Sequence, residues 1–405
     1  FVSEILVNRL YFVTYKGKTH KMIPEVHFFS SDDEFKYNNF YKDFGPLNIL
    51  AVYKFNQKLR FKLNSAPLLS KRIVQFTTSN PQKRVNAAFL MATYCLIYLK
   101  MKPREIYDRL SSIRHPFLSF QDASNREGLY TIRLFDCINA FSKAIKYGFL
   151  DFNDFDSTIC EKMETTIGGD MSWIIPQKML AFSSPVDDPP DRTYHSPKFY
   201  VEAFHKNKIN TVVRLNCKTY DSKQFTDNGI DHYDLIFPDG GTPPSDVLER
   251  FLEISEFKNS VIAVHCKAGL GRTGCLIGAY LMKHYRLSSS EAIAWMRICR
   301  PGCVIGSQQS WLEDMEPLMW SLGDGHRNRL FGESQAIHIH QYGIYSKQSN
   351  PSSEGDNAYA RLSRPSSLFN SHSKDIRRHS SNRLNGEPSL TKWQDARPKS
   401  RPCSG

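Results

Sequence analysis

At 405 residues, with 40% hydrophobic and 13% aromatic side chains, the chain is long enough for two folded domains and too apolar to be disordered throughout. Its formal charge of +12 is uneven: residues 326–405 hold 13 Lys/Arg against 6 Asp/Glu, so more than half of the excess sits in a Ser- and Arg-rich tail, and a nucleic-acid partner is not implied. The longest apolar run, Asn86 to Leu99, is too short to cross a bilayer, no signal peptide is read, and nine cysteines without a C-x-x-C pair point to free thiols in a reducing, intracellular setting. Cys299 and Cys303 lie four apart, but no second pair and no nearby His completes a metal site, so no metal is expected there.

In chain order, Leu10 to Thr14 and Val26 to Phe29 read as strands, and Asn48 to Tyr53 and Arg72 to Phe76 as buried strands. Asn86 to Leu99 is a core helix, and Lys102 to Leu110 a further helix with Pro103 near its start. Gly128 to Phe149 has helical periodicity through Leu134, Ile138, Phe141 and Ile145. The polar stretch 151–172 serves as an interdomain linker, and Trp173 to Pro176 opens a second unit. There, Ser196-Pro197 starts a helix to about Asn207, Thr211 to Leu215 and Tyr233 to Phe237 are strands, and Ser245 to Phe257 is an amphipathic helix. Ser288-x-x-Glu291 is a capping box for a helix to Cys299, and Trp311 to Leu322 is the last helix. Strands alternating with helices give an α/β fold with mixed sheets flanked by helices. Beyond Gly325 the periodicity is lost and disorder is expected over residues 326–405.

The stretch Val261 to Gly274 organises the second unit. A short apolar strand runs into a Gly-punctuated loop and then a helix. Such a turn points backbone N–H groups inward and adds the positive end of a helix, which suits a tetrahedral dianion. Cys266 sits at its floor, where the same field favours the nucleophilic thiolate. Arg272 can grip two phosphate oxygens in a planar fork. Thr273 can donate its hydroxyl to the sulfur, and Gly269 and Gly271 allow the tight backbone path. The loop residues Lys267, Ala268, Gly269, Leu270 and Gly271 are candidate phosphate contacts. No metal cofactor is needed for this chemistry.

His265-Cys266-x5-Arg272-Thr273 resembles the signature of the cysteine-dependent protein phosphatases. An internal repeat fits that reading. With Arg72 to Leu90 written above Ser260 to Gly278, Arg84 falls on Arg272 and Thr78 on Cys266, and both copies reach a basic residue before Pro, at His115-Pro116 and Arg300-Pro301. The first copy, with Thr for the nucleophile, reads as a degenerate, non-catalytic phosphatase-like domain over residues 1–150. Residues 173–325 form the catalytic one. Together with Trp173-Ile174-Ile175-Pro176 and Phe237-Pro238-Asp239-Gly240, the chain is similar to the cell-division-cycle-fourteen family, the mitotic-exit phosphatases.

That resemblance implies a general acid on the loop after Phe237-Pro238, which places the role on Asp239, with Asp234 and Asp246 as rivals. It implies a water-positioning glutamine at Gln308 or, less favoured, Gln309. It further implies dual specificity, a preference for phosphoserine followed by proline at cyclin-dependent-kinase sites, and a role in cell-cycle control. An acidic groove, to which the linker offers Glu161, Glu164 and Asp170, would meet a downstream basic residue. Phosphoproteins are then the partners, with no nucleic acid and no membrane insertion, in the nucleus or nucleolus, cytoplasm, centrosome or spindle. Two alternatives remain: a tensin-like phosphoinositide phosphatase, which normally carries a lysine where this chain has Leu270, and a phosphoprotein-binding module without catalysis.

Overall fold

The computed structural model describes residues 1–15, 23–111, 116–124 and 130–348. The first unit begins with an antiparallel hairpin of β1 (Val2–Leu6) and β2 (Leu10–Tyr15), followed by β3 (Val26–Ser30) and α1 (Ile49–Asn64). Next come β4 (Arg72–Thr78), α2 (Pro81–Ile97) and α3 (Pro103–Leu110). A short pair, β5 (Phe120–Gln121) and β6 (Thr131–Ile132), leads to α4 (Leu134–Lys146). The sheet order is β1-β2-β4-β3, with β4 parallel to both neighbours.

The stretch Asn48 to Tyr53, expected as a strand, is the start of α1. Asn48 caps it by accepting the Ala51 N–H at 3.0 Å, which satisfies a donor that the helix leaves unpaired. The buried residues Ile49, Val52, Phe55, Asn56 and Leu59 recur at helical spacing over three turns. A six-residue window that stops at Tyr53 contains too little of that period to separate helix from strand.

The linker is itself built. Asp156 accepts the N–H groups of Thr158 and Ile159 and starts α5 (Ser157–Glu164), while Phe152, Phe155, Cys160 and Met163 are buried. The second unit then repeats the plan of the first. β7 (Met171–Ile175) and β8 (Met179–Phe182) pair antiparallel, followed by α6 (Pro197–Lys206), β9 (Thr211–Arg214), α7 (Lys223–Thr226) and β10 (Asp231–Asp234). After α8 (Ser245–Glu256) comes β11 (Ile262–His265), then α9 (Gly271–Tyr285), α10 (Ser289–Cys299) and α11 (Ser307–Phe331).

The second sheet reads β10-β9-β11-β8-β7, with β11 parallel to β8 and β9. Taken from its hairpin edge, β7-β8-β11-β9 matches β1-β2-β4-β3 strand for strand and direction for direction. β10 is an addition. Thr78 ends β4 as Cys266 follows β11, so the repeat read from the sequence is a duplicated framework. In the first copy Arg84 donates to the Pro116 carbonyl at 2.9 Å and stacks over Phe117, so this guanidinium is engaged within its own domain. His115 lies outside the described residues.

The two units share one core. α4 packs on α10, and Phe141 and Phe149 meet Trp295 with ring centroids 6.5 and 5.8 Å apart. The disorder expected from residue 326 onward is corrected for residues 326–348. α11 runs on to Phe331, and the following segment buries Ala336, Ile337, Ile344 and Tyr345. Its backbone bonds go to Tyr147, Phe149, Asp154 and Asp156, distant in sequence, so no local periodicity could announce them. The basic Ser-containing sites around Arg361 and Arg377 lie outside the described residues.

Candidate active site

β11 is fully buried, flanked on both sides by parallel strands, and delivers Cys266 at its carboxyl end, 3% exposed. The loop that follows turns at Gly269, whose φ is +65° and whose Cβ position would lie 2.0 Å from the Phe182 carbonyl oxygen. Any side chain there would push the loop off β8. Arg300 fixes the loop from behind. Its Nε donates to the Gly269 carbonyl at 2.8 Å and its Nη2 to the Ala268 carbonyl at 3.0 Å. A trans peptide sets its N–H opposite its C=O, so the Gly269 and Leu270 N–H groups face the loop interior. Arg300 is held in turn by a bidentate pair with Asp170 at 2.9 and 2.8 Å.

Behind Cys266 runs a line of hydrogen bonds. The Cys266 carbonyl can only accept, so His265 Nδ1–H donates to it at 3.1 Å. His265 Nε2 therefore accepts from the Tyr220 hydroxyl at 2.7 Å, and the Tyr220 oxygen accepts from His232 Nε2–H at 2.8 Å. Burial pushes the His265 pKa down to about 3, against the pull of its bond to the Cys266 carbonyl. Burial, with the Arg214 charge, lowers that of His232 to about 4. Both rings are neutral at pH 7, as these bonds require.

The two residues after Gly271 carry unused donors. Arg272 is 4% exposed. Its Nη1 donates to the Phe237 carbonyl at 3.1 Å, and its Nη2 lies 3.0 Å from Asp239 Oδ1. Its Nε and the Thr273 hydroxyl are buried with no hydrogen-bond partner among the described residues.

A cleft of about 520 Å³ opens over Cys266, lined by Lys267, Ala268, Leu270 and Gly271 of the loop, by Asp239 and Gly240, and by Ile305 to Gln308. Of the three acid candidates, Asp239 stands in its wall. Asp234 is engaged elsewhere: burial opposes its ionisation, but a bidentate pair with Arg214 at 2.6 and 2.8 Å holds its carboxyl below the usual range. Asp246 is exposed in the first turn of α8. The two glutamines also separate. Gln308 lines the cleft and donates to the Gly241 carbonyl at 3.1 Å, whereas Gln309 Oε1 accepts from Arg297 at 2.7 Å inside the core.

The linker acids are all partnered. Glu161 is exposed and pairs with Lys54 at 3.0 Å. Glu164 accepts from Asn48 and from the Cys160 thiol, and burial raises its pKa to about 7. Asp170 is bound to Arg300. The first unit also reaches the rim of the site: Asp122, 2% exposed, accepts the Gly306 N–H at 2.6 Å. No local pattern marked Asp122, because its partner is 184 residues away.

Comparison with known proteins matches the family described as dual specificity protein phosphatase, N-terminal half, over residues 4–144, and the dual specificity phosphatase catalytic domain over residues 199–316. The chain is 48% identical over 333 residues to the dual specificity protein phosphatase CDC14AB of Danio rerio, covering 81% of this chain and 54% of that one. It is 46% identical over 321 residues to CDC14C of Homo sapiens, covering 78% and 72%. It is 37% identical over 354 residues to the tyrosine-protein phosphatase cdc-14 of Caenorhabditis elegans, covering 84% and 49%. The chain thus spans about half the length of the first and third of these relatives.

Proposed function

This chain belongs to the CDC14 family of dual specificity protein phosphatases, and from that premise we propose that it hydrolyses phosphoserine, phosphothreonine and phosphotyrosine esters in proteins through a phosphocysteine on Cys266. One observation carries the reading: a buried thiol shares its loop with two buried donors, Arg272 Nε and the Thr273 hydroxyl, that lack partners among the described residues. An unpaired buried donor costs about 1–3 kcal/mol. A phosphoryl group and a thiolate supply the missing acceptors.

In this reaction Cys266 Sγ attacks phosphorus while Arg272 and the loop N–H groups hold the equatorial oxygens through the transition state. Thr273 donates to the sulfur and stabilises it as the leaving group of the second step. Asp239 protonates the ester oxygen that departs, then takes a proton from the water that opens the phosphocysteine. Gln308 orients that water. Asp239 pairs with Arg272 across the mouth of the loop. A bound phosphate competes for the same guanidinium and frees the carboxyl to face the leaving oxygen.

The preferred substrates are phosphoserine-Pro sites with a Lys or Arg further along, such as those made by cyclin-dependent kinases. Family membership supports this direction; of the linker acids, Glu161, in an exposed pair with Lys54, is the accessible one, whereas Glu164 is engaged by Asn48 and the Cys160 thiol and Asp170 by Arg300. Leu270 in the cleft wall offers an inositol phosphate no counter-charge, which favours protein over lipid. The enzyme acts in cell-cycle control and resides in the nucleus, cytoplasm, centrosome or spindle. A panel of phosphopeptides scored for phosphate release, with Cys266→Ser as blank, tests the substrate reading. Equal kcat/KM for peptides with Pro and with Ala after the phosphoserine, or faster release from phosphoinositide vesicles, overturns it.

A further inference from the structure

At the far end of α9 from Cys266, three helices bring two imidazoles and a carboxylate together. The approach depends on Gly323 of α11, whose Cβ position would lie 1.9 Å from the Lys283 carbonyl oxygen. Only glycine lets α11 press against α9 there. Arg327 locks the crossing by donating to the Lys283 carbonyl at 2.7 Å. This contact sets His326, one turn beyond Gly323, over His284, one residue beyond Lys283. Glu256 arrives as the last residue of α8.

The ring of His284 stacks on Tyr280 with centroids 4.1 Å apart, and the His326 ring meets it edge-on at 4.8 Å. Glu256 Oε1 is 2.9 Å from His284 Nε2, and Glu256 Oε2 is 3.6 Å from His326 Nδ1. One ligand atom from each of the three lies within 4.8 Å of the others, the single such grouping among the described residues. We propose that Glu256, His284 and His326 form a zinc-binding site outside the catalytic cleft.

The dimensions suit the ion. Bonds of about 2.0–2.2 Å to tetrahedral zinc put ligand atoms roughly 3.3–3.5 Å apart, close to the 3.6 Å between Glu256 Oε2 and His326 Nδ1 and within the 4.8 Å that encloses all three ligand atoms. Two imidazole nitrogens and a carboxylate oxygen are ligands that zinc accepts, leaving a fourth position for water. All three side chains keep some exposure, 23% for Glu256, 13% for His284 and 19% for His326, so an ion can enter. Ligation through His284 Nε2 places its remaining proton on Nδ1, with no net proton loss.

Lys283 Nζ, 2.5 Å from Glu256 Oε1, stays on that oxygen while the ion takes Oε2. Its charge and that of Arg327 make the site weaker than one of four thiolates. α9 spans Gly271 to Tyr285, roughly 20 Å at the helical rise, so the ion would join α8, α9 and α11 without touching the reacting atoms.

The test uses the full chain carrying Cys266→Ser, which removes the catalytic thiol as a competing ligand. After EDTA treatment and dialysis, Zn²⁺ is titrated against a chromophoric chelator, and Co²⁺ is added for its visible spectrum. The expected result is one saturable Zn²⁺, tetrahedral cobalt bands, and a Zn²⁺-dependent rise in Tm. His326→Ala and Glu256→Gln should each weaken binding by at least about tenfold and abolish the Tm rise. His338→Ala, outside the cluster, should change neither. Circular dichroism confirms that the variants are folded, and two variants at different positions guard against the loss of either. Unchanged affinity in both variants, or no saturable binding in the Cys266→Ser protein, overturns the proposal.

Discussion

At the scale of single residues, the proposed reaction separates groups that would touch the phosphate from groups that hold them. Cys266→Ser should abolish turnover yet retain phosphate binding, because the loop N–H groups and Arg272 remain; Arg272→Ala should lose both. Phosphate affinity by calorimetry beside turnover checks the pair. Asp239→Ala should slow release from alkyl phosphoserine far more than from an activated aryl phosphate, which departs without a proton; equal losses would mean that Asp239 only secures Arg272.

Tyr220 makes a different prediction, because its hydroxyl joins His265 to His232. Tyr220→Phe leaves a buried acceptor on one ring and a buried donor on the other, so it should cost about 1–3 kcal/mol of stability by urea titration. The two depressed histidines also set a pH dependence. From pH 6.5 down to about 4 the unfolded chain binds protons on both that the folded protein excludes, so their neutrality contributes stability that is present above pH 6.5 and lost as pH falls. The drop in urea midpoint between pH 7 and pH 5 should be smaller for His232→Gln than for the native chain.

At the scale of elements, α10 works on the catalytic loop from its carboxyl end. Arg300 binds two loop carbonyls and Asp170 at once, which a lysine cannot do. Arg300→Lys should therefore lower kcat by roughly a hundredfold, the effect of a loop displaced by about 1 Å, while the charge is kept. Asp170, expected from the sequence as a groove acid, is placed by the structure as the partner of Arg300. Asp170→Asn should slow all phosphopeptides alike, whereas Glu161→Gln should reduce only the preference for a downstream basic residue, and should do so less at high salt. Selective loss in Asp170→Asn would return that residue to the groove.

At the scale of the whole molecule, the segment after α11 is a strap across both units. Trp173 N–H donates to the Tyr345 hydroxyl at 3.2 Å, and the Phe149 carbonyl accepts from Ile344 at 2.8 Å. Truncation after Lys347 should leave peptide turnover within a few-fold. Truncation after Gly332 removes the buried Ile337, Ile344 and Tyr345 side chains, each contributing about 1.5–3 kcal/mol of burial, and should lower Tm sharply or yield insoluble protein. Equal Tm for the two truncations would show that the strap adds nothing to the fold.

The nucleophile loop was legible in the sequence because its chemistry is local: Cys266, Arg272, Thr273 and the glycines between them act within one turn, so spacing along the chain is spacing in the site. The α/β alternation was legible for the same reason, since each element carries its own period, and the capping box at Ser288 and Glu291 formed as read, with Ser288 N–H donating to Glu291 at 2.8 Å. The α1 helix was lost because its period outran the window in which it was sought. What the sequence could not hold is every contact made across the chain: Tyr220 behind His265, Asp122 on Gly306, and Asp170 on Arg300. The preference for Asp239 over Asp234 and for Gln308 over Gln309 came from the family resemblance, and the cleft lining agrees with it. Those pairs are alike in residue type and close in sequence, and the packing of β10 against β9 and of α11 beside α10 shows the physical reason: Asp234 is turned to Arg214 and Gln309 to Arg297, while Asp239 and Gln308 line the cleft.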